Sequence, residues 1–303
     1  MPRPVAVLLL IVCTTFWGFA FVFQKGAMDN MGPLTFMAAR HLLGALLVLP
    51  IGIVEYRRQR ARGVVLTREQ WIRIGVLSLA FFAGVWLQQH ALLTTTVTNG
   101  GFITSLYVIF TPIVTWLTLR TRPHPVIYIG APLALLGIYL LTGARLDSFT
   151  VGDAQLLMCA VFWGVQVSML GVLVRDTGMP VFVSAINFLA TAALGVIGAL
   201  TLEQPSIDGL ASGWIAILYT GVLSTAVAFT LQAIAQQYVP PANAAIILAA
   251  ESLFAALGGA LVLHERLPPL GYLGAAIIFI AIVMVELVPA LRGRREPTWR
   301  ESA

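Results

Sequence analysis

The chain contains the hexapeptide Cys13-Thr14-Thr15-Phe16-Trp17-Gly18 and, 146 positions later, the near copy Cys159-Ala160-Val161-Phe162-Trp163-Gly164. Each copy lies a little inside the start of a long apolar stretch. Because tryptophan is rare, its recurrence in matched surroundings indicates that one half of the 303-residue chain repeats the other. If each half holds an odd number of membrane spans, the second half is inserted upside down, which is an architecture of secondary transporters.

The composition favours a polytopic membrane protein over a soluble globular domain. Hydrophobic residues make up 59% of the chain and charged residues 10%, whereas a soluble domain carries about 25% charged residues. The mean hydropathy is +0.90. The net charge of +5 would suggest nucleic acid in a soluble protein, but the arginines cluster beside apolar stretches and act as topology signals, so no nucleic-acid partner is expected. Two cysteines are too few for a disulfide framework.

Ten apolar stretches are long enough to cross a bilayer, which requires about 20 residues of helix. The first resembles a signal peptide over Arg3 to Cys13, but bulky Ile11 and Val12 stand where a processing site has small residues, so we predict an uncleaved span. The predicted spans are Val5–Ala27, Pro33–Val54, Gln70–Leu93, Thr98–Leu119, Val126–Thr142, Gly152–Val174, Pro180–Leu202, Ser212–Gln236, Pro241–Leu263 and Pro269–Leu291.

The arginines predict the orientation in the membrane. Only Arg145 and Arg266 fall on the side opposite the termini, and cytoplasmic loops are enriched in Lys and Arg. Both termini are therefore expected in the cytoplasm, and a bacterial inner membrane is the expected location. The thirteen arginines on the side of the termini are Arg3, Arg57, Arg58, Arg60, Arg62, Arg68, Arg120, Arg122, Arg175, Arg292, Arg294, Arg295 and Arg300.

Further matches at nearly constant offset extend the repeat along the chain. Five spans per half is an odd number, so the sequence predicts an all-α integral membrane protein of ten transmembrane helices in two inverted five-helix repeats. The repeats are expected at residues 1–145 and 146–291, with a cytoplasmic tail at 292–303. The matches are Met31-Gly32-Pro33 with Gly178-Met179-Pro180, Trp71-Ile72 with Trp214-Ile215, Leu87-Gln88 with Leu231-Gln232, Asn99 with Asn243, and Tyr128-x-Gly130-Ala131 with Tyr272-x-Gly274-Ala275.

This organisation resembles the EamA-type exporters of the drug/metabolite transporter superfamily. The late signature Leu263-His264-Glu265-Arg266-Leu267, followed by Gly271 and Gly274-Ala275, adds to the likeness, which covers essentially the whole chain. Within the family the chain most resembles bacterial inner-membrane exporters of amino acids, including aromatic ones. The resemblance implies alternating access across a central cavity bounded by spans one, three, four, six, eight and nine.

Trp17 and Trp163 are the first candidates for substrate contact. At ~1.5 Å of rise per residue they lie roughly 18 Å and 17 Å into their spans, from opposite faces of the membrane. Both therefore reach the bilayer midplane, where transporter sites are expected. Two interpretations remain: indole walls that flank the substrate, or helix packing with Gly18 and Gly164 as points of close approach. Cys13 and Cys159 fall in opposite leaflets and are expected to pack without forming a disulfide.

Glu251 is the candidate for proton coupling or for binding a substrate ammonium group. It is an acidic residue deep in span nine, where a carboxylate costs several kcal/mol. It is therefore expected to be protonated, paired or facing a wet cavity, and a neutral carboxyl bonded to a neighbouring helix is the alternative. Its repeat counterpart, at an offset of 144, is Tyr107.

The remaining candidates are polar or aromatic residues within the spans. Gln166 follows Trp163 by three positions, so the two share a helix face. Arg40 is expected to bind either a carboxylate or an adjacent carbonyl, and Lys25 to snorkel to the interface. The other candidates for substrate binding are Gln88, Trp86, Asn99 and Asn243. For Trp86 the favoured alternative is packing, and for the two asparagines it is capping of helix starts.

The residue types narrow the function to a transporter of small zwitterionic or amphipathic metabolites. Phosphorylated substrates require several convergent cations, which the spans lack. An intramembrane enzyme requires a nucleophile with a base or a metal cluster, and the sequence has no Gly-x-Ser-x-Gly and no metal-spaced histidine pair. We therefore expect no cofactor and no metal. The leading hypothesis is an exporter of aromatic and other neutral amino acids, with protons as the candidate coupling ion. A passive facilitator and a multidrug exporter of cationic compounds are the alternatives.

Overall fold

The structure is a computed structural model that describes residues 1–95, 97–119, 124–141, 150–262 and 269–291. The side chain of Asn99 lies outside this description. So do the predicted repeat boundary near residue 145, the tail 292–303, the signature Leu263–Leu267 with Glu265 and Arg266, and the remaining topology arginines Arg120, Arg122 and Arg145.

Within the described residues the secondary structure is entirely helical, which confirms the predicted fold class. Nine of these helical segments are long and apolar enough to cross a membrane, and a tenth, shorter one begins at Ile127. The elements are α1 Arg3–Ala27, α2 Pro33–Ala61, α3 Arg68–Ala91, α4 Val97–Thr104, α5 Tyr107–Leu119, α6 Ile127–Leu141, α7 Val151–Thr177, α8 Pro180–Leu202, α9 Ile207–Ser212, α10 Trp214–Leu218, a π-helix Tyr219–Phe229, α11 Thr230–Ala235, α12 Pro241–Leu248, α13 Glu251–Val262 and α14 Pro269–Leu291.

The fourth and ninth spans are each broken in the middle, at equivalent positions. The α4/α5 break falls at Ser105-Leu106, and the α12/α13 break falls 144 residues later at Ala249-Ala250. At both breaks the α-helical pattern tightens, since Leu106 N–H donates to Ile103 O at 3.2 Å and Ala250 N–H to Ile247 O at 3.1 Å. The sequence prediction had continuous spans here. The breaks place Tyr107 and Glu251 at the first positions of α5 and α13.

The eighth span departs from its repeat counterpart. Its centre, Tyr219–Phe229, is a π-helix, whereas the equivalent part of the third span belongs to the regular helix α3. Three hydrogen bonds join α1 to this segment. From α1, Cys13 Sγ donates to Ala228 O at 3.0 Å and Trp17 Nε1 donates to Ser224 O at 3.1 Å. From the π-helix, Tyr219 Oη donates to Phe16 O at 3.2 Å. The i→i+5 hydrogen bonding of a π-helix places some backbone carbonyls differently from those of an α-helix. In this segment the carbonyls of Ala228 and Ser224 accept bonds from α1.

The two copies of the opening motif make equivalent contacts with the opposite half. Gly18 packs against Phe254 of α13, and Gly164 packs against Phe110 of α5, where an added Cβ would lie 2.7 Å from Phe110 Cβ. Cys159 Sγ donates to Gly84 O at 3.2 Å, which mirrors the bond from Cys13 to Ala228 O. Both cysteines are buried and free. The cysteine and the glycine of each copy therefore hold the two halves together.

Helices α2 and α8 pack along each other in opposite directions, and each caps the other's start. The Glu203 carboxylate accepts the backbone N–H groups of Leu34 and Thr35 at 2.9 and 2.8 Å. At the other end, Glu55 Oε2 accepts the N–H of Phe182 at 2.8 Å. A carboxylate is favourable at a helix N-terminus because it satisfies free donors and complements the helix dipole. The reciprocal caps join the two halves antiparallel, as an inverted repeat requires.

Candidate functional site

A cavity lies at the two helix breaks, in the interior of the bundle. It encloses about 500 Å³ of empty space including its openings, of which about 40 Å³ admits the centre of a water molecule, so its walls stand close together. The helices that line it belong to the six spans that the family resemblance implies, with α2 as an addition. Side chains that line it include Trp17, Phe21, Gln24, Arg40, Gln88, Thr104, Tyr107, Trp163, Gln166, Ser224, Phe229, Gln232 and Glu251.

An aromatic row crosses the cavity wall. Trp17 and Phe229 have ring centroids 4.6 Å apart, and Phe229 stacks on Trp163 at 5.7 Å with 12° between the planes. The rings of Phe81 and Trp163 are nearly perpendicular, with centroids 5.6 Å apart. The two indoles are therefore bridged by Phe229 and form one continuous surface. Sequence comparison of the halves missed Phe229 because its counterpart is Val85.

The two tryptophans differ in their hydrogen bonds although they share a motif. The indole N–H of Trp17 is bonded to Ser224 O of the π-helix. The indole N–H of Trp163 is buried and has no hydrogen-bond partner in the described part of the chain. The position equivalent to Ser224 is Ala80, within regular helix α3. Trp163 is thus the member of the pair with a donor available to a ligand.

Unpartnered buried polar atoms concentrate around this cavity. Such atoms are rare in folded proteins because each one costs the free energy of its lost hydration. Six of the twelve found among the described residues belong to side chains that line the cavity. They are Gln24 Oε1, Arg40 Nε, Thr104 Oγ1, Tyr107 Oη, Trp163 Nε1 and Glu251 Oε1. Donors and acceptors are both present, so the lining can bind a ligand that offers both.

The cavity brings together most of the site residues predicted from sequence. Trp17, Trp163, Tyr107 and Glu251 all line it, and so do the amides Gln88 and Gln166. Gln166 also exchanges long hydrogen bonds of 3.5 and 3.4 Å with Gln232 of α11, which the repeat pairs with Gln88.

Two predicted residues lie elsewhere. Trp86 packs against the main hydrophobic core with its ring 5.9 Å from His90. Asn243 Nδ2 donates at 3.4 Å to Val285 O and to Glu286 Oε1 of α14, so it joins two helices and does not cap α12. Both are outside the cavity lining.

The two basic residues of the first two spans have different environments. Lys25 Nζ donates to Leu92 O and Thr95 O at the end of α3, so it closes a helix C-terminus. Arg40 is 3% exposed, lines the cavity and lies 5.5 Å from the centroid of the Phe36 ring. Within the described residues its guanidinium has neither a carbonyl nor a carboxylate partner. The expected bond to an adjacent carbonyl is therefore not formed.

Comparison with known proteins agrees with this architecture. The model of the EamA-like transporter family matches residues 4–143 and again residues 150–287, so one match falls in each half. The chain belongs to the EamA-like transporter family. This membership confirms the resemblance drawn from the repeat, and the chain is a multi-pass membrane protein of a transporter family.

Relatives of this EamA-family chain carry names of the same kind. A protein of Archaeoglobus fulgidus described as an uncharacterized transporter is 32% identical over 281 residues, which cover 92% of this chain and 84% of that one. The uncharacterized transporter YwfM of Bacillus subtilis is 27% identical over 300 residues, covering 93% and 94%. A crystal structure of another protein, 19% identical, superposes with a TM-score of 0.77 over 96% of this chain and the whole of that one, which shows a shared fold.

Proposed function

We propose that this EamA-family transporter exports neutral amino acids, aromatic ones included, and related small metabolites by alternating access through the central cavity. The main support is the lining itself, since the row Trp17–Phe229–Trp163 shares the cavity with six buried polar atoms without partners, one of which is the indole nitrogen of Trp163. An aromatic side chain would stack on the row, and an ammonium group would gain up to ~2 kcal/mol from a desolvated ring face. The location between the repeats agrees with midplane sites of other secondary transporters.

We propose further that Glu251 couples transport to protons. Its carboxyl is buried and lines the cavity beside the Tyr107 phenol, with Oε1 outside hydrogen-bonding geometry to any described atom, and it begins the half-helix α13. A carboxyl in this position can carry either a proton or the substrate ammonium group, so the two would exclude each other. Binding of an outward-moving amino acid would then accompany release of the proton, and inward proton flow would drive export.

The orientation belongs to the same proposal. The end of α2 and the start of α3, residues 57–68, carry a dense group of arginines. Arg3 lies on the same side in the predicted topology. We place this side, with both termini, in the cytoplasm of a bacterial cell. Cysteine accessibility at Ala61→Cys, measured with a membrane-impermeant reagent in intact and permeabilised cells, should show labelling only after permeabilisation.

The test of function is flux in proteoliposomes. Labelled phenylalanine and leucine should be taken up and exchanged. A pH gradient that drives protons in the direction opposite to the amino acid should accelerate net amino-acid flux several-fold. Glu251→Gln should abolish the response to the gradient and also slow exchange of substrate, because the neutral amide mimics the protonated carboxyl that excludes the ammonium group. The matched control is Glu69→Gln, an exposed carboxylate outside the cavity that pairs with Arg73, and it should leave both measurements unchanged.

The outcomes distinguish the alternatives. Failure of every neutral amino acid to cross would overturn the substrate assignment. Flux that ignores the gradient in the unmodified protein would make it a facilitator. Gradient-driven flux that survives in Glu251→Gln would remove Glu251 from coupling.

A further inference from the structure

Arg40 is a buried cation whose charge the described protein atoms leave unmatched. It lies on the third turn of α2, 3% exposed, with its Nε lacking any partner among described residues. The guanidinium remains charged in proteins and is a donor only, so it cannot satisfy itself by losing a proton. A charge at this depth in a membrane is costly and occurs where it faces a partner or a functional cavity.

Among the described residues, no side chain or carbonyl accepts a hydrogen bond from the Arg40 guanidinium. The guanidinium lies over the face of the Phe36 ring, which attracts a cation but has no lone pair to accept a hydrogen bond. No carboxylate of the described residues forms an ion pair with it, including Glu251, which lines the same cavity. The Arg40 guanidinium and the Glu251 carboxyl thus face one cavity more than 4.0 Å apart, the limit for an ion pair.

The unpartnered atoms of the lining include both donors and acceptors. Arg40 Nε and the indole N–H of Trp163 are donors, and Glu251 Oε1 and Gln24 Oε1 are acceptors. The anionic group of a ligand can accept from a donor of the first kind, and its cationic group can donate to an acceptor of the second. Because the guanidinium is a planar fork of donors, its best-matched anions are carboxylates and phosphates, and a single guanidinium in a small cavity favours the singly charged carboxylate.

We propose that Arg40 binds the carboxylate of the transported molecule, so that the site selects substrates with a free carboxylate beside their amino group. This inference rests on the proposed function and specifies which chemical group is obligatory. Amines that lack the carboxylate, and amides that mask it, leave Arg40 desolvated without an acceptor and are rejected. Cationic drugs are rejected for the same reason.

The first test changes the ligand and leaves the protein intact. Purified wild-type protein is titrated with L-phenylalanine, L-phenylalanine amide, phenethylamine and 3-phenylpropanoate, and binding is followed by thermal stabilisation and by competition with labelled phenylalanine. We expect phenylalanine to compete at least tenfold better than its amide and than phenethylamine, which is the loss expected for one charge-assisted pair.

The second test changes the arginine. Arg40→Gln should remove the discrimination, bringing the affinities of phenylalanine and its amide within about threefold of each other, and Arg40→Lys should retain part of it. The expected loss appears in KM for phenylalanine and not in the amount of folded protein. Arg73→Gln is the matched control, since Arg73 is another arginine within a span but pairs with Glu69 and Asp176 away from the cavity.

Each outcome bears on one of the two proposals separately. If the wild-type protein transports phenylalanine and phenethylamine equally, the role of Arg40 is wrong and the amino-acid function stands. If it binds 3-phenylpropanoate and ignores phenylalanine, the carboxylate site stands and the amino-acid function is wrong. If Arg40→Gln keeps the wild-type preference for phenylalanine over its amide, another group recognises the carboxylate. The ligand series decides the question even if Arg40→Gln does not fold.

Discussion

Residues that share a repeat position take different roles where they face the cavity. Trp17 and Trp163 occupy the same place in the two copies of one motif, yet the indole of Trp17 is bonded to the π-helix and the indole of Trp163 has its donor free within the cavity. Similarly, Tyr107 and Glu251 begin equivalent half-helices with a phenol and a carboxyl. The duplicated backbone is nearly symmetric, and the chemistry that faces the cavity is not.

This difference predicts opposite effects of one substitution at the two tryptophans. Trp163→Phe keeps an aromatic surface and removes an unused donor, so it should weaken substrate binding roughly tenfold and leave thermal stability near that of the unmodified protein. Trp17→Phe removes a bond that joins α1 to the π-helix and should destabilise the fold by about 1 kcal/mol with a smaller effect on KM. Transport kinetics and thermal unfolding in detergent measure both. The reverse pattern, or identical effects, would mean that the hydrogen bonds do not separate the two roles.

At the scale of elements, glycines decide how closely the half-helices approach α1 and α7. A Cβ at Gly164 would meet Phe110 Cβ and the backbone N of Thr111, and a Cβ at Gly18 would meet Phe254 and the backbone of Ala255. Backbone atoms cannot move aside as a flexible side chain can. These two crossings therefore position α5 and α13, whose first residues are Tyr107 and Glu251.

Substitution of these glycines should separate the helices. Gly18→Ala and Gly164→Ala are expected to cost about 1–3 kcal/mol each, the range for overpacking an interior contact. Gly75→Ala is the matched control, because a Cβ there meets nothing within 4 Å and alanine favours the helix. Thermal unfolding of the three variants compares them directly. Equal melting temperatures for all three would show that the crossings adapt without strain.

The elements also show where sequence interpretation ends. Hydrophobic length predicted the spans, and the repeat predicted their inversion. The breaks were not predictable because Ser105-Leu106 and Ala249-Ala250 carry no proline or glycine, and Pro112 occurs in one copy only. The π-helix was missed for a related reason: it arises from contacts with α1 that no local pattern records. Arg40 was recognised as a candidate, but whether it had a partner depended on neighbours distant in sequence.

At the scale of the whole molecule, α2 and α8 act as a brace between the halves. Glu203 caps α2 at one face of the membrane, and Glu55 contacts the start of α8 at the other. Neither glutamate lines the cavity. The brace therefore stabilises the arrangement of the halves without taking part in binding.

The two caps should contribute independently. Glu203→Ala and Glu55→Ala are each expected to lower stability by about 1 kcal/mol, as for other helix caps. The 23 residues of α8 separate them by ~35 Å at ~1.5 Å per residue, so the double variant should show the sum of the two effects. Glu69→Ala, at an exposed position, should change stability by less than about 0.5 kcal/mol. A double variant that loses far more than the sum would mean that the halves separate once both ends are released.

The matched breaks make the length of the segment before each one a constraint on the site. Val97 to Tyr107 and Pro241 to Glu251 span the same number of residues, although the two stretches differ at most side chains. Each residue turns a helix by about 100°, so one insertion before either break would swing the following side chains away from the cavity. The two segments thus keep one length with different side chains. A chain that gained or lost one codon in either segment would keep the composition of a membrane helix and lose the site.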